Sequence, residues 1–329
     1  MLNQTELLNP IPMLNIKKIL FPTDFSPCAE SAFSHAAYLA DRHTAELHVL
    51  HVQEDESMTL SERLSEIRIT PDEIAEQLHL PLPEGNAGSN DPIPVIEIEE
   101  KAERAAPVIL HYAEANGVDL IVMGTHGRRG VRRFVLGSVA EEVVRLSQCP
   151  VFTVRHRDDM TTWRIRRILA PTDFSPNARL ATRHAAALAE TYGAELTLLH
   201  VVNAAGLPVA SVPPLGSIEL SAESIMARSN EILLREAQAL RDEFGLGTDV
   251  HSFVRIGHPA LDILDFMDEN DSDLVVIGTH GRSGIRRLLM GSVAEQVVRN
   301  ASCPVFTVKS YGESLLDPVA ISIEETVPA

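Results

Sequence analysis

The chain writes one unusual passage twice. MGTHGRRGVRRFVLGSVAEEVVRLSQCPVFTVRH, from Met123 to His156, returns as IGTHGRSGIRRLLMGSVAEQVVRNASCPVFTVKS from Ile277 to Ser310, and ILFPTDFSP around Asp24 is answered by ILAPTDFSP around Asp173. The step from Asp24 to Asp173 is 149 residues and the step from Gly124 to Gly278 is 154. A period that long is not that of a stacked solenoid; it is a duplicated domain, and 329 residues give each copy enough chain for its own core. Whatever one half folds into, the other must be able to fold into as well.

Within each half, apolar runs alternate with amphipathic stretches. Lys18 to Phe21 stops at Pro-Thr-Asp and is followed by Ser26-Pro27, an N-cap residue and a proline at the first helical position, after which Ala29, Phe33, Ala36, Ala37 and Ala40 recur at helical spacing. Further strands are predicted at Leu47 to Val52, Val95 to Ile98 and Asp119 to Met123, with a helix from near Pro107 to Asn116-Gly117. The second half gives strands at Ile168 to Ala170, Leu196 to Val202, Asp249 to Val254 and Leu274 to Ile277, and helices after Ser175, around Ile225 to Phe244 and from Pro259 to Glu269. Each half closes with a helix from Ser138 or Ser292 and a last strand, Pro150 to Val154 or Pro304 to Val308.

This alternation predicts the α/β class: two tandem Rossmann-like domains, each a five-stranded, parallel, doubly wound sheet with helices on both faces. The expected boundaries are 13–156 and 163–310, with the polar stretch Arg155 to Arg164 as linker and the acidic, aperiodic residues 311–329 as a mobile tail.

A formal net charge of −18 excludes a nucleic-acid binder held by phosphate contacts, which needs a positive face. Against that background the arginines Arg128, Arg129, Arg132, Arg133, Arg282, Arg286 and Arg287 are local reversals of sign that suit a small anion. The N-terminus lacks a basic leader with an apolar core, and no apolar run reaches the roughly 18 residues of a membrane span. Three cysteines make no disulfide framework, so a cytoplasmic location is expected.

The chemistry sits in the loop repeated as G-x2-G-x9-G-S. Gly124 and Gly278 end an apolar strand, Gly127 and Gly281 follow in the turn, and Gly137-Ser138 and Gly291-Ser292 open the next helix. Glycines let backbone amides approach an anion, and a helix N-terminus adds unpaired N–H groups and a positive dipole end. Ser138 and Ser292 can cap their helices and offer a hydroxyl to the same anion. Asp24 and Asp173 follow the first strand of each half, at the edge where open parallel sheets bind ligands, and suit a ribose hydroxyl or a base amine. A plainer reading makes them helix caps. Val52 and Val201, ending the second strands, are placed to pack on a flat base.

These residues resemble the universal stress protein family in its tandem two-domain, ATP-binding form. The resemblance implies that Gly124, Gly127, Gly137 and Ser138 hold the phosphates of one ATP, with Asp24 and Val52 near its adenosine. Gly278, Gly281, Gly291, Ser292, Asp173 and Val201 would do the same for a second. It further implies that Gly257, in Gly257-His258-Pro259, lies close to the ligand, where the first half is matched as Ala105-Ala106-Pro107. On that basis the second site is the better formed. Pairing of the two last strands into an internal pseudo-dimer is also implied, with a further homodimer open.

Catalysis is not expected beyond slow hydrolysis, because the loop lacks a Walker lysine and an evident base. His126 and His280 lie inside the loop and suit a phosphate hydrogen bond or structure as well as proton transfer. Mg²⁺ or Mn²⁺ would accompany ATP mainly through ligand and water oxygens, and His48, His51 and His200 make no closed zinc set. The function expected is a nucleotide-dependent stress-response regulator with an unknown protein partner. Its alternatives are a scaffold with a vestigial loop and an adenylating enzyme of the related α-hydrolase type.

Overall fold

The computed structural model describes residues 13–53, 93–125, 136–155, 164–206, 222–246, 250–280, 290–309 and 314–316. The first half contains β1 (Lys18–Thr23), α1 (Pro27–His43), β2 (Glu46–Gln53), β3 (Val95–Lys101), α2 (Ala105–Ala115), β4 (Leu120–Gly124), α3 (Ser138–Leu146) and β5 (Val151–Val154). The second contains β6 (Arg167–Pro171), α4 (Pro176–Tyr192), β7 (Glu195–Asn203), α5 (Ala222–Phe244), β8 (Val250–Gly257), α6 (Pro259–Glu269), β9 (Leu274–Gly278), α7 (Ser292–Asn300) and β10 (Val305–Val308). Helix starts follow local chemistry. Ser26 and Ser175 accept the Ala29 and Ala178 amides, and Pro27 and Pro176 sit where a missing N–H costs nothing.

The strands form one ten-stranded sheet in the order β3-β2-β1-β4-β5-β10-β9-β6-β7-β8. Neighbours are parallel except at the centre, where β5 and β10 run antiparallel with Phe152 opposite Phe306. The sheet as a whole is therefore mixed, while every pairing within each half is parallel. The pairing implied by the resemblance is present, and it removes two apolar edges that would otherwise be exposed. Thr153 donates its hydroxyl to the Val305 carbonyl and Thr307 to that of Val151, each at 3.1 Å.

Helices cover both faces, and successive strand residues alternate between two cores. Ile19, Phe21, Val122, Phe152 and Phe306 pack on one side with α1, α4 and α5. Leu20, Ile121, Met123, Val151 and Val305 pack on the other with α2, α3, α6 and α7. Burial on both sides is why these strands read as continuous apolar runs. One expectation about the tail is corrected: Leu315 and Leu316 are buried in the first of these cores, and the Leu315 carbonyl accepts the Asn15 amide at 2.7 Å. Two consecutive leucines supply the apolar area that anchors this stretch. The remaining tail residues and linker residues 156–163 lie outside the described set.

Where the halves meet, His35 packs on Phe152 and reaches the Tyr192 hydroxyl at 3.3 Å, while His184 packs near Phe306 and donates from Nδ1 to the Leu180 carbonyl at 2.7 Å. Burial pushes His35 down to about 3 and His184 down to about 4; burial, with Arg42 adding to it, pushes His43 down to about 4. In the unfolded chain these rings titrate near 6.5, so below that pH the unfolded state binds more protons than the folded one. Stability should therefore fall as pH drops from about 6.5 toward 4, by about 1.4 kcal/mol per pH unit for each ring. Thermal unfolding at about pH 7.5 and about pH 5 checks this: the wild type should lose much of its melting temperature at the lower pH, and H35Q/H184Q should show a shallower decline.

Candidate functional site

In the first half the chain leaves β1 toward β2 and β3, then returns to β4 on the far side of β1; the second half does the same around β6 and β9. The strand order thus reverses between β1 and β4, and between β6 and β9. A crevice opens at such points beyond the carboxyl ends of the strands. Asp24 follows β1 and Gly124 ends β4 at the first; Asp173 follows β6 closely and Gly278 ends β9 at the second.

The Pro-Thr-Asp-Phe-Ser turn is built identically in both copies. Phe25 and Phe174 adopt φ of 59° and 64°, a left-handed conformation that costs a non-glycine residue about 1 kcal/mol or more. The surrounding bonds hold it. Thr23 and Thr172 hydroxyls accept the Phe25 and Phe174 amides at 3.0 and 3.1 Å, and Asp24 and Asp173 carboxylates accept the Ser26 and Ser175 amides at 3.1 and 3.0 Å. From the neighbouring strand, His51 and His200 donate from Nδ1 to the Thr23 and Thr172 carbonyls, both at 2.8 Å. Their rings lie 4.7 and 4.2 Å from those of Phe25 and Phe174. The aspartates make the turn, and the serines after them make the helix caps. His51 and His200 were weighed in the sequence only as weak zinc ligands; their recurrence at one position in both halves was the signal for this structural role.

The glycine loop is pinched at its neck. The Thr125 amide donates to Val154 and the Gly137 amide to the Thr125 carbonyl; Thr279 and Gly291 repeat both bonds, at 2.9 and 2.8 Å. Gly137 and Gly291 are the N-caps of α3 and α7, in extended conformation and without a side chain to close the helix end. Ser138 and Ser292, expected as possible caps, do not cap: each is the first helical residue, exposed, one place beyond the extended position that capping requires. The Gly137 and Gly291 amides are committed to the neck, so the amides of the following turn carry the positive end of each helix.

Other glycines answer to packing. A Cβ on Gly124 would lie 2.8 Å from the Cys28 carbonyl carbon and 2.9 Å from the Ala29 nitrogen, whereas one on Gly278 would lie 3.1 Å from the Asn177 oxygen. Gly257 makes room for the Asp262 carboxylate, which accepts the His258 amide at 2.7 Å. Its counterpart is not Ala105. Helix α2 begins at Ala105 and α6 at Pro259, so Glu103 occupies the place two residues before the helix. A proline is tolerated in the first turn of a helix as well as at its start, so Pro107 had suggested a helix beginning two residues late.

Val52 is half-buried and Val201 buried, each at the carboxyl end of its strand and packed with the core under α2 or α6. Gly127, Gly281, His126 and the loop arginines lie outside the described residues. Among the described residues no group of three or more His, Cys, Asp or Glu is placed to hold a metal ion. His48 instead meets the Tyr112 hydroxyl at 2.8 Å. Cys149 and Cys303 are buried, and burial pushes the Cys303 thiol up to about 12. No described helix is long and apolar enough to cross a membrane.

The sequence model of the universal stress protein family matches residues 15–155 and again 164–309. A universal stress protein of Methanocaldococcus jannaschii is 36% identical over 144 residues, 44% of this chain and 82% of its own. One from Mycolicibacterium smegmatis is 30% identical over 215 residues, 65% of this chain and 69% of its own. Among solved structures, a universal stress protein from Pseudomonas aeruginosa superposes with a TM-score of 0.62 at 21% identity, covering 90% of this chain and 94% of that one.

The glycine geometry predicts unequal tolerance. G124A should destabilise the protein by about 1–3 kcal/mol through overpacking against α1, and G278A by less, as read from urea unfolding midpoints.

Proposed function

Because the chain belongs to the universal stress protein family over both of its halves, we propose that it is an ATP-binding member, a regulator whose folded state responds to nucleotide and whose hydrolysis is slow or absent. The reading takes 13–156 and 163–310 as its two domains. What carries it is a helix N-terminus with no side-chain cap, set twice at a point of strand-order reversal beside an aspartate turn. The helices α1 and α4 close their own ends with serine; α3 and α7 present theirs. An anion supplies what those ends lack.

In this reading Gly124, Gly127, Gly137 and Ser138 surround the phosphates of one ATP, with Asp24 and Val52 beside its adenosine. Gly278, Gly281, Gly291, Ser292, Asp173 and Val201 surround the second, bordered by Gly257. A carboxylate oxygen of each aspartate is engaged with the serine amide that follows, so the turn holds the carboxylate in place before any ribose arrives. Mg²⁺ or Mn²⁺ would enter with the phosphates. Nucleotide at ~100 times its dissociation constant would add about 2.7 kcal/mol to folding stability, enough to couple ATP supply to the amount of ordered protein.

The test is to denature purified protein and identify and count the released nucleotide by mass spectrometry. ATP is expected, with one equivalent lost when Gly137 or Gly291 is replaced by valine. Protein that is empty as isolated and takes up no added ATP would refute the assignment.

A further inference from the structure

Comparing the two halves position by position shows where the duplication has been kept and where it has not. The fourth residue after each serine cap is Glu30 in α1 and Arg179 in α4; their amides bond to Ser26 and Ser175 carbonyls, both at 3.0 Å, so they occupy one place. Glu30 is exposed, whereas Arg179 is half-buried and donates from Nη2 to the Phe174 carbonyl at 3.2 Å. The strained turn of the second half is therefore gripped from two sides, by His200 and by Arg179. Asn177 of α4, two places before Arg179, has its backbone oxygen against Gly278, where the glycine loop begins.

Two further positions differ in the same sense. Across from Val52 on the neighbouring strand stands Glu100, and across from Val201 stands Arg255. Two residues before the next helix stands Glu103 in the first half and Gly257 in the second. Counted back from the helix start, Arg255 is answered by Lys101, so Glu30 against Arg179 is the clear reversal of charge between the halves.

Not all of that positive charge is free. Arg255 pairs with Glu269 and lies 4.7 Å over the Phe266 ring. Arg179 and Asp173 both act on the half-buried Glu236, which accepts the Thr182 hydroxyl at 2.7 Å. Burial raises the Glu236 carboxyl, against the lowering effect of Thr182 and Arg179.

We propose, resting on the nucleotide reading above, that the two sites are unequal, that the second is the tighter, and that Arg179 is the positioning residue that sets most of the difference. It fixes the Asp173 turn through the Phe174 carbonyl and puts a cation where the first half carries a carboxylate.

The experiment uses the full chain in two forms, Gly137→Val with only the second loop intact and Gly291→Val with only the first, titrated calorimetrically with ATP in the presence of Mg²⁺. The second-loop form should bind roughly tenfold tighter, a gap that narrows with added salt. R179E in that form should remove the gap, R179K should retain part of it, and E30R in the first-loop form should raise affinity. The E30R gain is a readout that a purely structural role for Arg179 would not produce, and it stands even if R179E folds poorly. Equal affinities, a tighter first site, or an order untouched by both charge changes would overturn the proposal. Failure of the wild type and both forms to take up ATP would instead overturn the nucleotide reading itself, and this inference with it.

Discussion

The antiparallel contact of β5 with β10 is what makes one molecule out of two repeats. Only three residue pairs join the strands, yet Phe152 and Phe306 face each other there, fully buried, with ring centroids 5.8 Å apart. The residue after each strand reaches further. Lys309 donates its ammonium to the Val144 carbonyl near the end of α3, and Arg155 donates to the Arg299 carbonyl of α7 at 3.2 Å. The helices α3 and α7, whose N-termini carry no side-chain cap, thus each have the C-terminal end capped by a cation from the other half, where the dipole favours positive charge. Burial pushes Lys309 down to about 8 and lowers Arg155 from its usual value, which marks how thoroughly these caps are taken from water. A shift of α3 or α7 along its axis must therefore be felt across the junction.

The same economy governs the turn at the carboxyl edge. Phe25 and Phe174 hold an unfavourable φ, and such strain persists only when neighbours over-determine it. Here those neighbours are a threonine, an aspartate, a serine and a histidine, each with its own bond, in both halves. The aspartate is consequently not a side chain waiting in a cleft but part of a rigid loop. Gly124 has a comparable double position. It ends β4 where the glycine loop begins, and it is also the only kind of residue that lets α1 lie directly on the strand end.

Element types and the order of strands and helices were legible because both faces of the sheet are buried, so strands read as apolar runs and helices as longer periodic stretches between Ser-Pro starts and Gly or Asn ends. Less legible were features set by contacts distant in sequence. That Ser138 is a first helical residue depends on the extended backbone at Gly137, which a Gly-Ser pair does not announce. Two leucines in a polar tail do not reveal that they return to the start of the chain and pack with Leu14 and Ile16. The match of Ala105 with Gly257 failed because a proline was used as the anchor, whereas helices register on their starts, and prolines are tolerated at more than one place in a first turn.

What duplication leaves free to change follows from this division. Residues that serve packing and backbone geometry together, such as Gly124 and the Thr-Asp-Phe-Ser turn, cannot vary in one half without damage to the fold of that half, and they recur unchanged. Side chains of the first helical turn that do not form the cap carry no such obligation. Glu30 and Arg179 occupy the same backbone position with opposite charge, and neither choice disturbs the serine cap before it. A second copy therefore lets one backbone carry two electrostatic settings, while the shared sheet and the crossed caps keep both settings within one folding unit.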